Sequence, residues 1–269
     1  MDEVVRIGGR RVKVRRNGCG PAVVLLNGVL MRLSTWEPLV EHLDGFECIR
    51  VTMPGLMDSG GAQPLVTMRG FSSMTLDLLD RLGIERADVL GLSFGGMVAQ
   101  QLAFDAPERV RRLVLVSTSC GLGAVPSNPM SWWNALLEDA WESSPLLGPL
   151  WLTRQWGVTL RREFGASWER GLWIDGVGQQ FAAASMWSSL PWLPALAQPT
   201  LVIAGTADAL VPAENAGILA SRIPDARLHR VRGGGHLCLL DRVAEVGPVI
   251  ADFLRASERT ALDQAVELR

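Results

Sequence analysis

The stretch that most constrains the fold is ADVLGLSFGGMVAQQLAFD, residues 87–105, which centres on Ser93. The apolar residues before Gly91 predict a buried strand, and those after Gly95 have the spacing of a helix. A strand that turns into a helix within one residue forces that residue into a strained, usually left-handed conformation. Gly91 and Gly95 provide the clearance that this turn requires. The stretch therefore predicts a strand–turn–helix unit that presents the Ser93 hydroxyl at a sheet edge.

Other parts of the chain alternate strand patterns with helical ones. VVRIGGRRVKVRR alternates apolar and polar residues around Gly8-Gly9, which predicts an antiparallel hairpin at a sheet edge. Continuous apolar runs, such as AVVLL at 22–26, RLVLVS at 112–117 and TLVIAG at 200–205, are typical of parallel strands buried on both faces. Strands that alternate with helices predict an α/β fold with a mostly parallel, doubly wound sheet.

One of the intervening helices is predicted over residues 35–43. Trp36, Leu39 and Leu43 fall at helical spacing there. The sequence Ser34-Thr35-Trp36-Glu37 has the pattern of a capping box, in which a hydroxyl and a carboxylate bind the first backbone N–H groups of a helix. We therefore expect Glu37 to act as part of a helix cap.

The regular alternation stops between residues 119 and 198, where helical patterns replace buried strands. This span contains nine of the ten tryptophans, and the whole chain has no tyrosine. We interpret residues 119–198 as a helical cap inserted after the sixth strand, with residues 1–118 and 199–269 forming the α/β core. So many large rings exceed what a small insertion can bury in its own core. Some of them are predicted to cover a substrate pocket and contact the substrate, and the candidates are Trp133 and Trp187.

Composition and charge exclude several classes of protein. Apolar residues make up 48% of the 269 residues and charged residues 20%, which indicates a large buried core. A net charge of −2 offers no basic face, so we expect no nucleic-acid partner. We also expect no cofactor and no metal, because the chain has neither a phosphate-binding glycine loop nor a metal-ligand cluster.

The cysteines and the hydropathy pattern favour a cytoplasmic protein. The four cysteines are far apart and form no C-x-x-C pair, which is typical of reduced thiols. The N-terminal residues lack an apolar signal core, and no apolar run reaches the ~18 residues of a membrane span. Nothing in the sequence indicates an oligomeric state.

A serine hydroxyl becomes a good nucleophile only when a base takes its proton and a third group orients that base. The chain has three histidines. His42 lies in a polar part of a predicted helix, and His229 lies within a predicted strand. His236 follows Gly233-Gly234-Gly235 directly after the last strand, at the sheet edge where open α/β sheets carry their active sites. His236 is therefore the predicted base.

The orienting acid is expected on a loop at the same edge, between the serine and the histidine in chain order. Asp208 lies three residues past the TLVIAG strand and fits this position. Glu214 begins the next predicted helix, and Asp225 precedes the last strand at the opposite edge. The predicted catalytic residues are therefore Ser93, Asp208 and His236.

The tetrahedral intermediate of acyl transfer requires hydrogen-bond donors for its oxyanion. The backbone N–H of Phe94 is one predicted donor, and the N–H of Val29, in the loop after the first parallel strand, is the second. Asn27 and Gly28 precede Val29 and are predicted to contact substrate, since glycine permits a close approach.

The motifs NGV, GLSFGG, GTADALVP and GGGHL follow one another in an order that resembles the α/β-hydrolases with a cap domain. Within that superfamily the chain is similar to the intracellular medium-chain poly(3-hydroxyalkanoate) depolymerases. The similarity lies in LVLVSTSCGLGAVPSNP, QPTLVIAG and GHLCLLDRVAEVGPVIADFL. The resemblance implies the α/β-hydrolase fold and hydrolysis of 3-hydroxyacyl esters by Ser93, Asp208 and His236.

The resulting hypothesis is a serine hydrolase that cleaves carboxylic esters of medium-sized apolar acyl groups, including 3-hydroxyalkanoate esters. Its partner would be a small-molecule or oligomeric ester, and its intermediate an acyl-enzyme on Ser93. Two alternatives stay open. The same triad could cleave a thioester or a C–C bond in a small-molecule pathway, or the fold could serve ligand binding or a tailoring reaction without hydrolysis.

Overall fold

The computed structural model describes residues 2–7, 10–29, 31, 33–52, 66–128 and 174–256. These residues contain eight strands and, among their helices, seven α-helices. The strands are β1 Asp2–Ile7, β2 Arg10–Asn17, β3 Ala22–Leu26, β4 Glu47–Val51, β5 Ala87–Leu92, β6 Val110–Val116, β7 Thr200–Gly205 and β8 Ala226–Val231. The α-helices are α1 Glu37–Val40, α2 Met68–Arg81, α3 Phe94–Asp105, α4 Ile174–Ser185, α5 Glu214–Arg222, α6 Cys238–Asp241 and α7 Val243–Arg255.

All eight described strands form one sheet in the order β1-β2-β4-β3-β5-β6-β7-β8. β1 pairs antiparallel with β2, in a register that sets Ile7 opposite Arg10, and β2 pairs antiparallel with β4. Every pair from β4 to β8 is parallel. The predicted edge hairpin and the mostly parallel sheet are confirmed. Because β5 to β8 are neighbours and parallel, the loops that carry Ser93, Asp208 and His236 leave the same edge.

Helices cover both faces of the sheet, and strand β3 shows how. Its residues Val24 and Leu26 pack into a core shared with α2 and α3, whereas Val23 and Leu25 pack into a second core with α1 and α7. All four side chains are fully buried. Each contributes about 1.5–3 kcal/mol through burial of apolar surface. This explains why β3 is a continuous apolar run and does not alternate.

The helix predicted over residues 35–43 is shorter in the structure. A 3-10 turn, Leu33–Trp36, leads into the single α-helical turn of α1, and no side-chain cap forms at its start. The Glu37 carboxylate binds Arg15 at 2.7 Å and Arg50 at 2.6 Å. Arg50 is fully buried, and a buried guanidinium requires a counter-charge more strongly than an exposed helix end requires a cap. Glu37 is therefore an ion-pair residue, and the predicted capping box is wrong.

The described parts of the predicted cap, 119–128 and 174–198, rest on helix α3 of the core. The indole N–H of Trp187 donates to Gln101 Oε1 at 2.6 Å. Trp192 stacks on Phe104 with ring centroids 4.4 Å apart. These two rings attach the cap to the core. The other seven cap tryptophans lie outside the described residues.

Two features are absent from the described ranges of the chain. None of the helices there could span a lipid bilayer. The same part of the chain holds no cluster of three or more His, Cys, Asp or Glu side chains suited to a metal ion.

The Glu37–Arg50 pair predicts a pH-dependent contribution to stability. Partial burial raises the pKa of Glu37, but the hydrogen bonds and charges of Arg50 and Arg15 outweigh it and hold the pKa below 4.5. A carboxylate with a lower pKa in the folded than in the unfolded chain stabilises the fold at neutral pH, and this contribution disappears as the pH falls through the folded value. Because Glu37 is half exposed, we expect Glu37→Gln to lower the free energy of unfolding by about 1–2 kcal/mol at pH 7.

Urea unfolding of both proteins between pH 7 and pH 3.5 measures this difference, which should shrink below pH 4.5. Glu41→Gln, which changes an exposed carboxylate just past α1, is the control and should leave stability unchanged at every pH. A difference for Glu37→Gln that is independent of pH would contradict the ion-pair role.

Candidate active site

Ser93 occupies the single-residue turn between β5 and α3. Its backbone has φ 54° and ψ −117°, a conformation that L-amino acids rarely adopt. Four hydrogen bonds hold it there: its N–H donates to Val116 O at 2.9 Å, and its carbonyl accepts from Gly96 N at 2.9 Å, from Met97 N at 3.3 Å and from Thr118 Oγ1 at 2.7 Å. The predicted strained strand–turn–helix unit is confirmed.

The two glycines of the motif are required by close backbone contacts. A Cβ atom on Gly95 would lie 2.0 Å from Leu26 O, and one on Gly91 would lie 2.2 Å from Gly95 O. Neither carbonyl can move without displacing a strand or a helix of the core. The elbow is therefore locked by backbone packing, and Ser93 is held at the end of β5.

The side chains of Asp208 and His236 form a buried pair at the same edge of the sheet as Ser93. His236 Nδ1 lies 2.9 Å from Asp208 Oδ2. The other carboxylate oxygen, Oδ1, accepts backbone hydrogen bonds from Leu210 N at 2.9 Å and Val211 N at 2.8 Å. These two donors fix the carboxylate plane, so that Oδ2 is directed at the imidazole. An acid held in this way can orient a histidine and stabilise its protonated form.

The loops that carry this pair are bonded to each other. Ala207 N–H donates to Gly234 O at 2.8 Å, and Gly233 N–H donates to Thr206 Oγ1 at 2.8 Å. The loop after β7 and the loop after β8 therefore form one unit. This unit explains how a glycine-rich segment can hold His236 in a single place.

A buried contact connects the histidine loop with the end of β6, beside the elbow. Cys238 Sγ lies 3.8 Å from Ser117 Oγ, and Ser117 follows Val116, whose carbonyl binds Ser93 N–H. Burial raises the pKa of the Cys238 thiol to about 11, so this thiol is neutral at physiological pH. Cys238 is therefore a packing residue at the site.

The loop after β3 brings Val29 beside the elbow, and Asn27 has a different role from the predicted one. The buried Asn27 side chain donates from Nδ2 to Met31 O at 2.8 Å, and its Oδ1 accepts from the indole N–H of Trp36. Both ends of the amide therefore hold the loop. In place of the predicted substrate contact, Asn27 supports Val29.

Gly28 lies next to Ser93. A Cβ atom there would lie 3.3 Å from Ser93 Cβ and 2.9 Å from Met31 Sδ. Glycine thus leaves room for the loop to pass close to Ser93. Gly28 therefore has a spacing role beside Ser93, and its substrate contact stays a prediction.

A cavity of about 560 Å³ opens beside Ser93, within the ~300–1,000 Å³ range of small-molecule sites. Ser93, Phe94 and Val29 all line it. Phe94 is the first residue of α3, where backbone N–H groups have no acceptor within the helix. Most of the remaining wall is apolar and includes Met97, Leu122, Val125, Phe181, Leu210 and Val211.

Of the two tryptophans predicted to contact substrate, Trp187 lies among the described residues. Trp187 is buried against Gln101 and Trp192 and does not line the cavity. The indole of Trp187 packs on α3, and its substrate contact stays a prediction. Trp133 lies outside the described residues.

The rival histidines and acids are located elsewhere. His42 packs against Gly247 of α7, and His229 lies in β8 with Nε2 3.8 Å from Glu245. Asp225 accepts the Thr200 N–H at the start of β7, which is the opposite edge of the sheet from Ser93. Among the described histidines, His236 is the one beside Asp208.

Two residues on the cavity wall were not predicted. Asn215 of α5 binds the backbone of Val125 twice, with N–H···Oδ1 at 2.8 Å and Nδ2–H···O at 2.9 Å, and so fastens the start of the cap over the cavity. Gln180 of α4 is fully buried on the same wall. No spacing or motif marks either residue in the sequence, because their roles depend on contacts between the cap and the core.

An eight-stranded, mostly parallel sheet with a strained serine after β5 is the architecture of the α/β-hydrolases. Residues 23–247 match the model of the Alpha/beta hydrolase family, and the chain belongs to this family.

Individual relatives have different substrates in their names. The chain is 32% identical over 246 residues to a poly(3-hydroxyalkanoate) depolymerase from Ectopseudomonas oleovorans, covering 89% of this chain and 86% of the relative. It is 28% identical to a 2-hydroxymuconate semialdehyde hydrolase from Pseudomonas sp. strain CF600, with 94% of each chain covered. Its fold is similar to a hydrolase from Pseudomonas aeruginosa PA01, with a TM-score of 0.76, 27% identity and 95% and 98% of the two chains covered.

The Gly95 contact predicts a large effect of a single methyl group. Gly95→Ala would place Cβ 2.0 Å from Leu26 O, so the elbow or β3 has to shift. We expect a loss of about 1–3 kcal/mol or more in the free energy of unfolding, measured by urea denaturation. Gly178→Ala is the matched control, because a Cβ there meets nothing within 4 Å. Alanine in the α4 helix should be neutral or stabilising by ~0.5–1 kcal/mol. Equal stability of the Gly95→Ala variant and the wild type would show that the elbow has free space.

Proposed function

We propose that the protein is a serine esterase that hydrolyses carboxylic esters of medium-sized apolar acyl groups. The observation that carries the proposal is the position of the strained Ser93 on the wall of an apolar cavity, at the same sheet edge as the buried Asp208–His236 pair. Membership of the Alpha/beta hydrolase family supports hydrolysis as the reaction class.

In the first step, Ser93 Oγ attacks the carbonyl carbon of the ester, and His236 takes the hydroxyl proton. Asp208 holds His236 at Nδ1, so the accepting atom is Nε2. The negative charge that develops on the carbonyl oxygen is stabilised by the N–H groups of Val29 and Phe94. The C–O bond then breaks, and the alcohol leaves with the proton from His236.

In the second step, water replaces the alcohol. His236 takes a proton from the water, the hydroxide attacks the acyl-enzyme, and a second oxyanion forms in the same place. The bond to Ser93 Oγ breaks, Ser93 regains its proton, and the carboxylic acid is released. No cofactor takes part in either step.

The apolar wall supports an acyl chain of medium length as the bound group. An apolar chain gains ~0.8 kcal/mol for each methylene group that it buries. The name of the relative from Ectopseudomonas oleovorans adds 3-hydroxyalkanoate esters, monomeric or oligomeric, to the candidate substrates.

A second candidate reaction is hydrolysis of a C–C bond β to a carbonyl. It is favoured by the similarity to the 2-hydroxymuconate semialdehyde hydrolase, which covers 94% of both chains. That reaction would use the same residues but release a carbon acid in place of an alcohol. Turnover of a ring-cleavage dienoate together with absent ester turnover would favour it.

The catalytic roles predict large losses of activity without loss of folding. Ser93→Ala should reduce kcat for 4-nitrophenyl octanoate by roughly 10⁴ or more, because no nucleophile remains. Asp208→Asn should reduce kcat by about 10⁴, since an amide no longer selects the reactive tautomer of His236. Circular dichroism and thermal melting verify that the variants are folded.

Glu214→Gln is the control for the acid, because Glu214 is exposed at the start of α5 and lies close in sequence to Asp208. It should retain the kcat of the wild type. If Glu214→Gln proved more damaging than Asp208→Asn, the assignment of the acid would be wrong. A fluorophosphonate that labels Ser93 in a protein without turnover of any ester would favour a binding or tailoring role.

The cavity predicts a dependence on acyl length. From acetyl to octanoyl esters, kcat/KM should rise up to about fourfold for each added carbon, until the cavity is filled. Ala184 lines the cavity, so Ala184→Phe should move the optimum to shorter chains. Ala182→Phe, on the same helix but away from the wall, is the matched control and should leave the optimum where it is. Equal kcat/KM values across the series would rule out an apolar acyl site.

A further inference from the structure

Gln180 stands out on the cavity wall because its side-chain amide has no hydrogen-bond partner among the described residues. The residue is fully buried in helix α4. Within the described part of the chain neither Nε2 nor Oε1 has a hydrogen-bond partner, whereas the buried Gln198 lacks a partner only at Oε1 and the buried Gln100 is bonded at both ends. A buried amide without partners is unfavourable, so a natural protein rarely keeps one without a function.

The other polar side chains of the described cavity wall, Ser93 apart, all have partners. Thr118 donates to Ser93 O, Ser119 accepts from Gly121 N, Ser185 donates to Ala182 O, and Asn215 binds Val125 at both ends. Ser127 also has a partner. Gln180 is therefore the polar group of this wall, besides the nucleophile, that is left for a bound molecule.

We propose that Gln180 is a specificity-determining residue that binds a hydroxyl group on the acyl chain of the substrate. The inference rests on the proposed esterase function and narrows its substrate class to hydroxylated acyl esters. A hydroxyl group can donate to Oε1 and accept from Nε2, so one group satisfies both atoms of the amide. A keto oxygen can only accept, and a plain alkyl chain satisfies neither atom.

The apolar surroundings of Gln180 make the discrimination between hydroxylated and plain acyl chains strong. A chain without a polar group would bury the Gln180 amide against methylene groups and leave both atoms unpaired. Sites built around a buried hydrogen-bonding group reject analogues that lack its partner much more strongly than apolar pockets reject a missing methylene. The preferred substrates are therefore apolar chains interrupted by one hydroxyl group.

The test compares 4-nitrophenyl octanoate with its 3-, 5- and 7-hydroxy derivatives. In the wild type, at least one hydroxylated ester should exceed the plain ester in kcat/KM by about tenfold or more. In Gln180→Met, which keeps the length of the side chain and removes the amide, this ratio should fall to about 1. A 3-, 5- or 7-oxo ester at the preferred position should lie between the two extremes.

Gln179→Met is the matched control. Gln179 is the preceding residue of α4 and does not line the cavity, so the ratio should stay at the wild-type value. The proposal is overturned if no hydroxylated ester is preferred, if Gln180→Met keeps the preference, or if Gln179→Met abolishes it. Thermal melting gives an independent result: Gln180→Met should melt at the same or a higher temperature, and a much lower value would mean that the amide has a structural partner.

Binding separates this inference from the esterase function. Calorimetry with Ser93→Ala, alone and combined with Gln180→Met, compares methyl octanoate with its hydroxylated derivatives. If the wild type hydrolyses no ester but the Ser93→Ala protein binds the hydroxylated chain tenfold more tightly through Gln180, the proposed reaction fails and the specificity stands. If the wild type hydrolyses the plain and hydroxylated esters equally, the specificity fails and the reaction stands.

Discussion

The backbone conformation of Ser93 is the constraint on which the rest of the site depends. A positive φ at a non-glycine residue is unfavourable, and it persists because the surrounding structure permits no other path for the chain. Here β5 enters the turn between β3 and β6, and α3 leaves it against the backbone of Leu26. The energy required comes from the two apolar cores, which bury both faces of the sheet and hold β5 and α3 in place.

A second layer of polar contacts orients the groups around this rigid elbow. Asp208 is fixed by two backbone donors before it meets His236, and the loops after β7 and β8 are joined by their own hydrogen bonds. On the other side of Ser93, Asn27 uses both ends of its amide to hold the loop that carries Val29. The groups proposed to act on the substrate are thus oriented by neighbours that do not act on it themselves, which reduces the reorganisation required during the reaction.

The polar side chains of the described cavity wall fall into those that are bonded within the protein and one that is not, and this difference connects the fold with the choice of substrate. Wall residues that hold the structure, such as Thr118 and Asn215, have their hydrogen bonds satisfied within the protein. Gln180 does not, and it is buried among apolar residues of the cap and core. The described residues of the predicted cap therefore contribute both apolar side chains and Gln180 to the wall of this cavity.

Local rules in the sequence determined the sheet, the edge hairpin and the elbow. Strand runs, helical spacing and the glycines around Ser93 depend on neighbours within a few residues, and chain order with strand direction was enough to predict the Asp208–His236 pair. Tertiary contacts decided the rest. Glu37 pairs with Arg50 and forms no helix cap, and Trp187 packs on α3. Asn27 supports a loop, and the Gln180 amide has no partner among the described residues. Each of these outcomes depends on which distant group arrives beside a side chain, and no pattern within a short stretch of sequence contains that information.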